Sequence, residues 1–183
     1  MSSTIPTCPT GCDSVLPPVE FDYCTPNTVF GEIKRLYVAS NDAAAFTDVE
    51  SAVEWAARLS EDGVGTDDIR ELHISADMPA PTQDAVEIDQ YREIYPPASF
   101  TINLDIYDLT DDNYEFMRTT FCNNAVRAWF ATEDHMYGGV DGIVEANLKL
   151  TPVIERGSKT PEKFMGTLTW DAKYPPERSD NPL

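Results

Sequence analysis

The chain has 183 residues, enough for one domain with a single sizeable core. Its 13 basic residues are outnumbered by 32 acidic ones, a formal charge of −19, which argues against binding nucleic acid through phosphates, a task that needs Lys and Arg. No run of about 18 apolar residues occurs, so no membrane-spanning helix is expected. The first residues also lack the basic start and apolar stretch of a secretory signal, which argues against export by that route.

The acidity is concentrated. Residues 42–115 hold 19 acidic residues against the three basic residues Arg58, Arg70 and Arg92, a local charge of −16. A solvated acidic face accounts for this; so does a surface that must not hold a passing polyanion.

Residues 1–30 are rich in Pro, Thr and Ser. Proline lacks an amide donor and biases its predecessor toward extended backbone, so this stretch reads as an extended arm. The arm is either disordered or lies across a neighbouring subunit and orders on assembly. Its apolar residues Ile5, Leu16, Val19 and Phe21 are candidate inter-subunit contacts. Cys8, Cys12, Cys24 and Cys122 are read first as unlinked thiols, with a disulfide or a four-thiolate metal site as alternatives.

Residues 33–39 read as a first strand. Thr47 and Glu50 have capping-box spacing, and Val49, Ala52, Val53, Ala56 and Leu59 fall on one helical stripe with Trp55 at its edge. A helix over 48–60 follows, with Trp55 as a core anchor. A strand over 69–78 turns Leu72, Ile74 and Ala76 inward and His73 outward. Residues 82–98 read as a long loop, a length that is usually functional or mobile. Its Tyr91, Ile94 and Tyr95 are further candidate contacts.

Residues 100–106 alternate cleanly as a strand. Thr110 caps a helix whose first turn is acidic, the favourable end of the dipole, with Tyr114, Met117 and Phe121 on its apolar side. Val126, Ala128 and Phe130 alternate in a short strand. The glycines of 138–142 suit turns with positive φ. Glu133, Asp134, Asp141 and Glu145 lack the spacing of a calcium loop. A strand from 143 turns Val144, Ala146, Leu148 and Leu150 inward and pairs with the strand 164–174, whose even positions are apolar apart from Gly166. Pro175 and Pro176 end that strand.

The fold class expected is mainly β with two short helices (α+β), in three parts: an arm over 1–30, a β-rich domain over 31–176 and an extended tail over 177–183. There is no nucleophile elbow, phosphate-cradling glycine loop or metal-protease His pair. The reading is a non-enzymatic interaction protein with no catalytic residue, metal or cofactor.

Three stretches carry a resemblance: Leu109-Thr110-Asp111-Asp112-Asn113-Tyr114-Glu115-Phe116-Met117-Arg118, Tyr137-Gly138-Gly139-Val140-Asp141-Gly142-Ile143, and residues 166–178 from Gly166-Thr167-Leu168-Thr169-Trp170 to Pro176-Glu177-Arg178. Over residues 30–178 the chain resembles small virion proteins of tailed phages infecting Bacteroides-type bacteria, including crAss-like phages. In outline it is similar to tail-tube proteins.

The resemblance implies a β-sandwich or barrel-like core and a structural subunit of a tail or head–tail ring in the virion. The implied partners are copies of itself in six- or twelve-fold symmetry and neighbouring tail or portal proteins. DNA would pass without specific binding, and no membrane is involved. Glu61, Asp62, Asp67, Asp68, Asp84, Glu87 and Asp89 are the candidate channel-facing acids. The alternative is a virion-displayed module that recognises a host-surface glycan or protein through Trp129, Tyr91 and Tyr95.

Overall fold

A computed structural model describes residues 31–59, 65–89, 92–122, 124–154, 156–157 and 161–183. Ten strands and two helices follow in the order β1 (Ile33–Ser40), α1 (Ala52–Leu59), β2 (Arg70–Asp77), β3 (Val86–Asp89), β4 (Arg92–Ile94), β5 (Ala98–Ile106), α2 (Asp111–Thr119), β6 (Ala125–Ala131), β7 (His135–Tyr137), β8 (Ile143–Val153), β9 (Lys163–Ala172) and β10 (Arg178–Asp180). Every pairing is antiparallel. The sheet runs β1-β2-β5-β9-β8-β6 and closes through β1–β6, giving a six-stranded barrel, with β7 and β10 added beyond β6. Closure gives each of the six barrel strands a neighbour on both sides, which limits edge-to-edge aggregation.

The expected fold class holds, and within it the barrel is the form realised. β9 is its central stave. It pairs along nine residues with β5, from Ala98↔Ala172 to Ile106↔Phe164, and along seven with β8, from Asn147↔Thr169 to Val153↔Lys163. Phe164, Leu168 and Trp170 point inward as the alternation requires, and Trp170 stacks on Phe100 with ring centroids 5.3 Å apart. Gly166 lies between Leu104 and Leu150, both buried. A Cβ there would collide with the Lys149 carbonyl oxygen and stand 2.5 Å from Leu150 Cδ2. The residue that breaks the alternation is therefore what lets three strands close up.

β1 and β6 are buried on both faces. Inward, Leu36, Val38, Ala128 and Phe130 join the barrel core. Outward, Tyr37, Ala39, Trp129 and Ala131 meet Ala43, Phe46, Val49 and Trp55 in a second core beneath α1 and residues 41–51. Four rings form its centre: Phe46 to Trp55 4.5 Å, Tyr37 to Trp55 5.0 Å, and Phe46 and Trp55 edge-on to Trp129 at 5.3 and 5.8 Å. Each indole donates to a carbonyl, Trp55 to Val49 at 2.7 Å and Trp129 to Gly139 at 2.9 Å, as buried Trp N–H groups require. Gly138 (φ 134°) and Gly142 (φ 67°) wrap Trp129 so closely that a Cβ on either would fall 2.6 Å from the ring.

Several local expectations are corrected. The first helix starts at Ala52, not 48. Ser51 caps it, its hydroxyl accepting from the Glu54 N–H at 3.4 Å, while residues 48–51 form a tight turn. The middle of the stripe faces solvent, with Ala52, Val53 and Ala56 exposed, while Val49 is buried ahead of the helix, Leu59 packs against the second core at its end, and Trp55 is buried in the core role expected of it. Helix α2 begins as expected, with the Thr110 hydroxyl accepting from the Asn113 N–H. It buries Met117 in the barrel core, whereas Tyr114 and Phe121 are exposed.

In β8, Val144 points outward and Ile143 inward. A bulge opposite β6 adopts φ 56° at Glu145, whose N–H is taken by Asn41 Oδ1 at 2.8 Å, and it shifts the alternation by one residue. The long loop 82–98 contains the hairpin β3–β4. His73 is exposed, as read.

Candidate assembly surfaces

The β3–β4 hairpin is a two-stranded sheet that pairs with no barrel strand. Its register sets Val86 opposite Ile94, Glu87 opposite Glu93 and Asp89 opposite Arg92, with a bulge between Glu87 and Asp89. The stem is tied down by the Thr82↔Ser99 bridge and by Gln83 Nε2, which donates to the Pro96 carbonyl at 2.7 Å. Asp84, Val86, Glu87 and Tyr95 are exposed. Two-stranded ribbons are marginal on their own in water.

The other candidate acids occupy different settings. Asp67 and Asp68 form the turn leading into β2. Asp68 is buried and its Oδ2 accepts from the Gly65 N–H at 2.8 Å; Asp67 Oδ1 accepts from the Ala44 N–H at 2.6 Å, pinning that turn to residues 41–51. Asp67 thereby ties the turn to the second core's cover, while Asp68 folds back within the turn itself. Asp89 lies in β3. Glu61 and Asp62 lie outside the described residues, as do Ile5, Leu16, Val19, Phe21 and Tyr91; Ile94 is placed in β4. Of the four cysteines only Cys122 is described, and it is exposed.

The cover over the second core is held by charge. Arg58 reaches from α1 to donate to the carbonyls of Ala44 at 2.7 Å and Ala45 at 2.8 Å, pairs with Glu54 at 3.0 Å, and lies 4.0 Å over the Phe46 ring. Glu54 also accepts from the N–H groups of Thr47 and Asp48 at 3.0 and 3.1 Å. Burial works to raise the Glu54 pKa, but those two N–H donors and Arg58 together outweigh it and hold the carboxyl below the ordinary 4.5. The Tyr37 hydroxyl is buried beside Arg35 and Glu71 without a well-formed hydrogen bond, and burial holds its pKa above the usual 10.

A second surface was not singled out in the sequence. Around the start of α2, Leu109, Tyr114, Pro152, Val153 and Ile154 line a shallow depression of about 180 Å³ beside Phe164. Leu109, Tyr114 and Ile154 are exposed, Ile154 by 75%. The available signal was Ile154 itself, an isoleucine stranded past the end of the β8 alternation.

No family model, curated protein or solved structure matches this chain.

The remaining surface differs from a binding platform in one decisive respect. Trp129 is fully buried against Phe46 and Trp55, so the aromatic set of Trp129, Tyr91 and Tyr95 does not stand together on the outside. Among the described residues, no group of three or more His, Cys, Asp or Glu side chains converges as metal ligands do.

Proposed function

We propose that this chain is a structural subunit of a phage tail or head–tail ring, assembling with copies of itself, six- or twelve-fold, around the channel through which DNA passes. The observation that carries the reading is the β3–β4 hairpin. Among the described residues it shares no ladder with the barrel, and Val86 and Tyr95 are exposed, as are Asp84 and Glu87. A ribbon of that kind gains most by lying on a neighbour, and the depression of Leu109, Tyr114 and Ile154, edged by the charged Glu162 and Lys163, offers a mixed apolar and polar surface to receive it.

The concentration of acid over residues 42–115 supports a lumen that repels phosphate. Of the candidate acids with described side chains, Asp84 and Glu87 are the two best able to face such a lumen, since Asp67 and Asp68 are bonded within the fold. The neighbours along the axis are other tail or portal proteins, and the protein's place is the virion.

Light scattering coupled to size-exclusion chromatography, with negative-stain imaging, tests the reading. Rings or short tubes are expected for the native chain, and Val86→Glu with Tyr95→Glu should release monomers with an unchanged β spectrum. A chain that stays monomeric at millimolar concentration would overturn the proposal, as would rings that survive the double substitution with the hairpin outside every contact.

A further inference from the structure

Among the large apolar residues left exposed, two groups sit at the two ends of β5. Met78, Val86 and Tyr95 come before it, in the segment that carries the β3–β4 hairpin. Tyr107, Leu109 and Tyr114 come after it, joined by Ile154 from just past β8. Register sets the hairpin's root and the depression at opposite ends of the barrel. The hairpin is rooted where Thr82 bridges Ser99, at the start of β5. The depression opens at the other end, where Ile106 pairs with Phe164 and Phe164 with Pro152.

The hairpin's exposed apolar residues cannot reach the depression of their own barrel. Ser99 and Ile106 are seven residues apart in β5, roughly 24 Å at about 3.4 Å per residue. Val86 is four residues past Thr82, and Tyr95 four before Ser99, so each lies within about 14 Å of the root even at full extension. About 10 Å of the path stays uncovered, and Tyr114 and Ile154 belong to its far end. A surface and its counterpart that cannot meet within one molecule can meet between two.

The charges beside them differ in sign. Residues 84–95 hold Asp84, Glu87, Asp89 and Glu93 against Arg92, a net −3. Residues 154–163, which join β8 to β9 beside the depression, hold Arg156, Lys159 and Lys163 against Glu155 and Glu162, a net +1 in a chain whose total is −19. The opposite rim, the first turn of α2, is acidic through Asp111 and Asp112.

We infer, given the self-assembly proposed above, that the contact between copies is one-way. The hairpin of one copy seats Val86 and Tyr95 in the depression of the next, on the β8–β9 side where Arg156 is exposed, and away from Asp111 and Asp112. Hairpin against hairpin would instead set −3 against −3, a juxtaposition that like charges disfavour, and would leave the depression empty. Because donor and acceptor are different patches, the contact is heterologous: each copy keeps one free half after pairing, and growth continues until a ring closes or a chain runs on.

Complementation tests the direction. Val86→Glu with Tyr95→Glu disables the donor, and Tyr114→Glu with Ile154→Glu disables the acceptor; all four positions are exposed, and circular dichroism with a thermal melt checks that both variants fold. Each variant alone should be monomeric by light scattering. Mixed, they should form a one-to-one heterodimer and nothing larger, since each retains a single working half. Adding Arg156→Glu to the donor-disabled variant should weaken that heterodimer several-fold, and an unchanged affinity would refute the side assigned to the hairpin.

Two outcomes separate this contact from the ring. Rings from the native chain with no complex from the mixture would overturn the one-way contact and leave the ring standing. Open chains from the native protein, with the heterodimer from the mixture, would do the reverse. Assembly by either variant alone would overturn the one-way contact outright.

Discussion

Removing Arg58 should cost more than any other exposed-side substitution in α1. Its guanidinium gives two charge-assisted hydrogen bonds to the Ala44 and Ala45 carbonyls, one ion pair to Glu54 four residues before it, and a cation–π contact with Phe46. Hydrogen bonds involving a charged group contribute about 1.5–3 kcal/mol each in full burial, and partial exposure brings these two toward the lower end. An i,i+4 pair adds about 0.3–0.5 kcal/mol, and the cation–π contact about 0.5–1 kcal/mol. These contributions overlap, so Arg58→Ala should destabilise by about 3 kcal/mol, a fall in Tm of roughly 6–12 °C for a chain this long.

The assay is equilibrium urea unfolding followed by tryptophan fluorescence, because Trp55 and Trp129 lie in the cluster that Arg58 covers. Arg58→Lys separates geometry from charge: an ammonium cannot fork to two carbonyls while stacking on a ring, so it should recover less than half of the loss. A loss below about 1 kcal/mol for the alanine variant, or full recovery by lysine, would refute the view that the cover is held by the guanidinium fork.

Three further outcomes are expected. Glu54, held below 4.5 in the fold, contributes stability that is present above the unfolded value and lost as pH falls through the folded one; Glu54→Gln should therefore flatten the acid limb of a stability–pH curve below about 4.5, and an unchanged limb would count against the network. Tyr37 is raised above 10, so its contribution is intact below that pH and is lost as pH rises through the folded value. Tyr37→Phe should remove that alkaline loss and, by deleting a buried hydroxyl without a partner, stabilise by about 1 kcal/mol in urea unfolding. Gly166→Ala should destabilise by about 2–4 kcal/mol, since the obstructing Lys149 carbonyl is backbone and cannot swing aside; a thermal melt within a degree or two of the parent would contradict this.

The parts of the fold that sequence revealed are those where one face is wet. β5 alternates strictly, and β9 does so apart from Gly166, because their outer side meets solvent, and both patterns survive in the structure. β1 and β6 carry apolar residues on both sides, so alternation could not tell Trp129, which faces the second core, from a solvent-facing residue. The phase slip in β8 had no local marker. The left-handed residue is Glu145, where Gly or Asn would have announced the bend, and its stabilising partner Asn41 is 104 residues away.

Helix α1 lies inside the expected span but starts four residues later, for a related reason. Its attachment rests on one indole and on polar bonds from Glu54 and Arg58, not on the apolar stripe that periodicity detects. The candidate acids show the same limit: nothing local distinguishes Asp68, folded back on Gly65, from Glu87, which stands exposed.

The outermost strand has a consequence for how copies of this protein can join. β10 is three residues long, held to β7 by Arg178↔Tyr137, Ser179↔Met136 and Asp180↔His135, and fastened just beyond by Asn181 to Asp134. Among the described residues, so short a border offers few unused amides or carbonyls for another chain to copy, and closure through β1–β6 leaves the barrel no second border. Barrel against barrel, copies of this protein would therefore be cemented by shape and side chains, each barrel a separate bead whose removal leaves its neighbours folded.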